Sequence, residues 1–256
     1  VHTQGTYFRF HNLARALAEL GHEIEIFGCD HDRRTKVRTE RRDGIPYHIC
    51  PTVGLSRLFN PVANPFDALR RGLIKPRFCD VAHLFQPFLN AALAWRLSRA
   101  KTHFYDWDDL WTGGYWSSPP TGLRARYESK VAAFLEKNLP RRADKTTTCS
   151  KYLATQAKKE SGQPATVVGN GVWPRKFVGK REAREALGLR VDAQYVGFMG
   201  RTCDEINWCF DGLREVVQTH PQLRFAICGA PESVLANVDS VLRKRIDYLG
   251  QLTPQG

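Results

Sequence analysis

The feature of this sequence that most restricts its fold is a repeated alternation. Short apolar runs close on glycine or a polar cluster, and each is followed by a segment with helical spacing. Residues 7–21 place Phe10, Leu13, Leu17 and Leu20 at steps of three and four, one apolar face of a helix, with Gly21 where a left-handed C-cap belongs. Residues 23–27 alternate charged and apolar side chains before Gly28 and read as a strand. A short strand over 47–50 follows the Gly44-Ile45-Pro46 turn, and a strand over 80–85 leads to a helix carrying Phe88, Ala91, Ala92, Trp95 and Arg99. A strand over 102–105, a long helix over 123–142, a strand over 145–148, a helix capped by Ser150 and a strand over 165–168 complete the series. This order predicts an α/β fold built on a doubly wound parallel sheet.

A second such unit begins near Pro174. Helix 181–187 ends at Gly188, strand 195–199 at Gly200-Arg201, and strand 223–228 at Gly229-Ala230-Pro231; helix 206–219 lies between the two strands, and a last helix and strand surround Tyr248. The expected division is 1–170 and 171–256. The strand that should precede the first helix is missing, and the second sheet has an uncovered edge. On this reading the chain is a piece of a longer protein, cut at both ends, and its second unit is not expected to be stable alone.

Charge and cysteine usage narrow the function. Among 256 residues, 38 Lys and Arg against 26 Asp and Glu leave a net charge of +12, so anionic partners are expected. The densest basic run, Arg33 to Arg42, reads as a solvated loop, and no zinc-finger spacing, RNP-like aromatic run or basic dimer motif accompanies it. Nucleic acid is therefore not the expected partner; a phosphorylated small molecule, with peripheral contact to an anionic membrane, fits better. Seven scattered cysteines without a CxxC pair indicate reduced, mostly structural thiols. No run reaches the roughly 18 apolar residues of a membrane span, and the first twenty residues lack a secretory pattern. The expected location is cytoplasmic, peripheral at the inner face of the membrane.

In doubly wound sheets, ligands bind beyond the carboxyl ends of the strands. Gly5, just ahead of the first helix, suits a phosphate at a helix N-terminus or a plain turn. Arg201 directly follows a strand, where a guanidinium can hold a diphosphate or pair locally. Asp106, Asp108 and Asp109 crowd three carboxylates into four residues after a strand. They need compensation: Mg²⁺, substrate hydroxyls, or a structural network through Lys101, Arg124 or Arg126. His83 and His103 read as packed, hydrogen-bonded histidines, and neither has a histidine four residues away to suggest zinc. The loop 111–122 holds Trp111, Tyr115 and Trp116, able to stack on a sugar or pack over a core. A GxSxG elbow, a P-loop and a complete GxGxxG fingerprint are all missing from the sequence.

Four segments together resemble the retaining GT-B glycosyltransferases of the family 4 (group 1) type. They are Leu13-Ala14-Arg15-Ala16-Leu17-Ala18-Glu19-Leu20-Gly21-His22; Phe104-Tyr105-Asp106-Trp107-Asp108-Asp109-Leu110; Cys149-Ser150-Lys151-Tyr152-Leu153 with Val168-Gly169-Asn170-Gly171; and Val196-Gly197-Phe198-Met199-Gly200-Arg201 with the strand closing on Gly229. The resemblance implies two Rossmann-like domains, 1–170 on the acceptor side and 171–256 binding the nucleotide sugar, with no required metal or cofactor. It implies donor-phosphate contacts at Gly5 and Arg201, cleft or crossover positions at Asn170, Gly171 and Ser150, and a sugar- or acceptor-side catalytic role for Asp106, Asp108 or Asp109. The chain departs from the pattern after Arg201, where Thr202 to Trp208 holds no basic residue to serve as a second phosphate clamp. The family's late acidic donor-site motif would fall beyond Gly256, so the resemblance implies that this piece is inactive by itself. The implied activity is transfer of a sugar from a nucleotide donor to a cell-envelope polysaccharide, glycolipid or small acceptor. The alternative is a non-catalytic homologue that binds sugar or a partner protein.

Overall fold

The computed structural model describes residues 5–29, 37–52, 63–73, 78–112, 121–171, 178–200, 205–236 and 238–252. The chain divides into two compact units, Val1–Trp173 and Pro174–Gly256.

The first unit holds two sheets. In one, β1 (Ile26–Cys29) pairs parallel with β3 (Ile45–Cys50), which pairs antiparallel with β2 (Arg38–Arg42). The Arg33–Arg42 run was expected to be a loop throughout, yet its second half is a strand. Asp43 and Gly44 both take positive φ and turn β2 back onto β3, so a basic stretch is carried by backbone pairing rather than by apolar pattern.

The other sheet is wholly parallel, in the order β4 (Cys79–Phe85), β5 (Ala100–Trp107), β6 (Lys145–Thr148), β7 (Thr166–Val167). Its crossovers are α3 (Leu89–Leu97), α4 (Gly122–Arg142) and α5 (Lys151–Ser161). Because successive strands are neighbours, right-handed crossovers carry these three helices along one face of the sheet. The side-chain alternation agrees. Leu84, Tyr105 and Trp107 point to that face and pack with Ala92, Trp95, Leu135, Leu139, Leu153 and Ala157. Each buried leucine contributes about 1.5–3 kcal/mol. The opposite face presents Phe85, Asp106 and Thr147, and meets α1 (Gly5–Glu19): Phe10 lies 5.9 Å from Phe85, ring to ring.

Two helices differ from expectation. The core side of α1 is Tyr7, Phe10, Ala14 and Ala18, packed with Ile45, Tyr47 and Ile49, and the helix also buries Arg9 and His11. Leu20, assigned to the apolar stripe, is 75% exposed. The short α2 (Pro65–Leu73), packed on α3, was not expected; it buries Asp67, Ala68, Arg71 and Gly72 and leaves Phe66, Leu69 and Leu73 exposed.

The second unit contains a parallel sheet in the order β10 (Ile246–Gly250), β9 (Leu223–Cys228), β8 (Gln194–Met199). Helix α7 (Glu205–Thr219) buries Ile206, Phe210 and Leu213 against Phe225 and Ile227. The short helices α6 (Lys180–Ala186) and α8 (Ser240–Arg243) and a 3₁₀ turn over Glu232–Leu235 flank it among the described residues.

Candidate functional site

The carboxyl ends of β4 to β7 and the first turns of α1 meet around one cation. Arg9 donates from Nε to Asp106 Oδ1 at 2.7 Å and from Nη2 to Oδ2 at 2.8 Å. Its Nη1 donates to the Val168 carbonyl at 2.8 Å and to Asn170 Oδ1 at 2.7 Å. Thr147, beside Asp106 in the β5–β6 register, donates its hydroxyl to Asp106 Oδ2 at 2.5 Å. Both side chains are buried, a geometry that holds a desolvated ion pair only because nearly every donor and acceptor is used. The carboxylates hold the Arg9 guanidinium above its ordinary pKa despite burial.

The compensating charge for the aspartate cluster is therefore Arg9, and none of the three cations weighed from sequence. Lys101 pairs with Asp80 at the amino end of the sheet, Arg124 pairs with Glu128, and Arg126 is exposed. Arg9 escaped sequence reading because one arginine on a helix looks like any solvated position; its nearness to the core side of α1 was the available signal.

The three aspartates come together but into different surroundings. Asp106 is fully buried with both oxygens engaged, so the ligand contact expected of it is replaced by the clamp. Asp108 is buried, lies 3.7 Å from Arg9 Nε, and accepts from Asn170 Nδ2 at 3.2 Å. Its carbonyl accepts from the Cys149 thiol. Asp109 alone is exposed. Partial burial of its carboxylate and the neighbouring Asp108 charge hold its carboxyl above the usual range.

Gln86 underlies Asp109. It is fully buried and has φ of +67°, the left-handed region that a non-glycine residue enters at a cost. Its Nε2 donates to Asp109 Oδ2 at 3.0 Å and to Thr6 Oγ1 at 3.3 Å, while Oε1 accepts from Trp111 Nε1 at 3.3 Å. Sequence reasoning missed it; the Gln86-Pro87 pair directly after a strand was the only sign. His83, one strand position back from Leu84 and on the Asp106 face, is half-buried; its Nε2 is buried and has no hydrogen-bond partner among the described residues, and burial pushes its pKa down to about 4. It is packed as expected, but that nitrogen is not hydrogen-bonded. His103 is bonded, to the Ser98 hydroxyl and the Trp95 carbonyl.

The remaining predicted positions fall as follows. Ser150 is the N-cap of α5 and accepts from the Leu153 amide at 3.3 Å. Asn170 bridges Arg9 and Asp108, and the Gly171 carbonyl accepts from Asn12 at 3.3 Å. Gly5 is the first residue of α1 rather than the residue before it. Arg201, Tyr115 and Trp116 lie outside the described residues. Glu136 on α4 accepts from the Trp111 and Thr112 amides at 2.6 and 3.1 Å, fixing the start of the loop after β5. Among the described residues no three of His, Cys, Asp and Glu converge as a metal-binding group, and no helix is long and apolar enough to cross a membrane.

Residues 4–171 match the family described as glycosyl transferase 4-like domain. The chain belongs to that family. The solved structures it resembles share the GT-B fold. A sucrose-phosphate synthase from Thermosynechococcus elongatus superposes with a TM-score of 0.63 at 16% identity, over 97% of this chain and 65% of the synthase. An α,α-trehalose-6-phosphate synthase from Burkholderia multivorans gives 0.53 at 11%, over 99% and 69%. HepE of Anabaena, in complex with UDP and glucose, gives 0.50 at 16%, over 82% and 57%. The chain thus spans about two thirds of the synthase from Thermosynechococcus. At these identities the likeness establishes the fold. No curated protein matches the sequence.

Proposed function

We propose that the protein is a retaining glycosyltransferase that moves a sugar from a nucleotide-sugar donor to a polysaccharide, glycolipid or small acceptor. The observation that carries this reading is the family match across the unit whose strand ends hold the Arg9-centred network. In this proposal residues 1–170 form the acceptor side and 171–256 the donor side. Asp109, exposed and holding a proton more readily than a free carboxylate, meets a sugar or acceptor hydroxyl and serves it as hydrogen-bond partner or proton acceptor. Asp106 and Asp108 act through Arg9 and Asn170, holding the strand ends in place. Gly5, at the start of a helix, and Arg201 bind the donor diphosphate and stabilise the departing nucleotide electrostatically.

The test is titration of the full-length protein with UDP- and GDP-sugars by calorimetry, followed by assay of nucleoside diphosphate release. Saturable binding with release supports the reading. Binding without any turnover favours a non-catalytic sugar-binding homologue, which the lack of a basic residue over 202–208 would explain. Failure to bind any nucleotide sugar at millimolar concentration overturns both.

A further inference from the structure

Helix α4 divides its side chains sharply by charge. Its two glutamates, Glu128 and Glu136, are buried along with Leu135 and Leu139. At 100° per residue, Arg126, Lys130, Lys137 and Arg141 fall within one narrow stripe on the opposite side, and all four are exposed. Leu123, 86% exposed, and Phe134, 57% exposed, lie in the same stripe. No acidic residue of α4 shares that face.

Helix α5 extends the pattern. It buries Leu153 and Ala157 and turns Lys151, Lys158, Lys159 and the 58%-exposed Tyr152 outward. The two helices pack side by side on one face of the parallel sheet, so their outer sides look the same way. Arg141 joins them, donating to the Glu160 carbonyl at 2.6 Å and to its carboxylate at 2.9 Å. Among the described residues, Arg126, Lys130, Lys137, Lys151, Lys158 and Lys159 have no ion-pair partner.

We infer that the outer face of α4 and α5 is a docking surface for an anionic lipid bilayer. Charge complementarity selects the occupant: unpaired, flexible cations suit a diffuse negative surface, and each gains attraction within a Debye length of it. The apolar side chains select lipid over a polyanion. Leu123, Phe134 and Tyr152 stand among the cations, where they can enter the headgroup region as the apolar part of an interfacial helix does. A nucleic acid would want aromatic platforms along a groove, whereas these side chains stand on convex helical surfaces. The inference extends the peripheral membrane contact anticipated from net charge to named residues. It needs no particular donor or acceptor, so it stands or falls apart from the transfer reaction.

The experiment is co-sedimentation of the full-length protein with vesicles of phosphatidylcholine alone or with 30% phosphatidylglycerol (about a third anionic lipid, in the range where surface potential is appreciable). Expected is binding to the mixed vesicles only, weakened at least about tenfold by the triple charge reversal R126E/K130E/K137E and less strongly by F134S. Circular dichroism and nucleotide-sugar binding should be unchanged in both variants. Equal binding to both vesicle types, no binding to either, or full binding by the triple variant overturns the inference. So does a lipid-indifferent protein whose triple variant loses affinity for RNA. Loss of vesicle binding with donor binding intact confines the result to this surface, and loss of donor binding by the unaltered protein bears only on the transferase reading.

Discussion

Arg9 and Asp106 face each other from a helix and a strand 97 residues apart, joined by two parallel hydrogen bonds of 2.7 and 2.8 Å. The pair closes α1 onto the sheet at the carboxyl ends of its strands. Asn170, on the far side of the guanidinium, ties the end of the unit to the same point.

Removing one partner should cost far more than removing both. R9M leaves a fully buried carboxylate with a lone hydroxyl donor, and the expected loss is about 3–5 kcal/mol in urea unfolding followed by near-ultraviolet circular dichroism. The double variant R9M/D106L should recover most of that loss. A double variant as unstable as R9M would show that the pair holds the sheet by something other than charge.

His83 predicts a pH dependence. The unfolded chain takes up this proton as pH falls through about 6.5, and the folded chain only near 4. Stability contributed by neutral His83 is thus complete above the first value and drains between the two, by up to about 3 kcal/mol. H83L should flatten the curve of unfolding midpoint against pH between 6.5 and 4. Parallel curves for H83L and the unaltered protein would refute the assignment.

The chain advertised its strand ends better than its contacts. Strand 223–228 and the helix 123–142 are visible because their apolar patterns are set by packing on one side. The site is only half visible. The Asp106–Asp109 cluster and Asn170 stand out by composition and by following strands. Arg9 and Gln86 do not, because a charge or amide becomes structural only when residues from 23 to 161 positions away bring it partners, and no local period encodes that. The short α2 and β2 were lost for a related reason. β2 is held by β3 rather than by an apolar stripe, and α2 packs on α3 with Gly72 close to Leu93 and Leu97, while its apolar Phe66, Leu69 and Leu73 are exposed.

Asp109 should separate stability from turnover. Its folded carboxyl binds a proton more readily than the unfolded one, so ionising it costs stability as pH rises past the ordinary carboxylate range. D109N removes that cost and keeps an oxygen for the Gln86 amide. The expected change in unfolding free energy at pH 7 is a gain below about 0.5 kcal/mol, with product formation lowered about 100-fold. Undiminished turnover would remove Asp109 from the chemistry.

Two glycines of the second unit give a paired test of packing. Gly229 has φ of +84°, and a Cβ there would sit 2.8 Å from the Gly200 carbonyl oxygen; Gly250 has φ of +65° with nothing within 4 Å. G250A should cost about 1–2 kcal/mol from backbone conformation alone. G229A should cost at least about 1 kcal/mol more, since rigid backbone has to give way. Equal midpoints in urea would mean that β8 and β9 can part without penalty.

The hydrogen bonds from Trp111 and Thr112 to Glu136 give α4 a second allegiance. Glu136 grips the first residues of the loop beyond β5, and its chain neighbour Lys137 stands on the outer side of the same helical turn. A helix is stiff along its axis, so a load on one side is shared by the other within a single turn. Trp111 and Thr112, close in sequence to Asp109, are thereby anchored to a helix whose other side faces solvent, so a push or tether on that side reaches the surroundings of the proposed site.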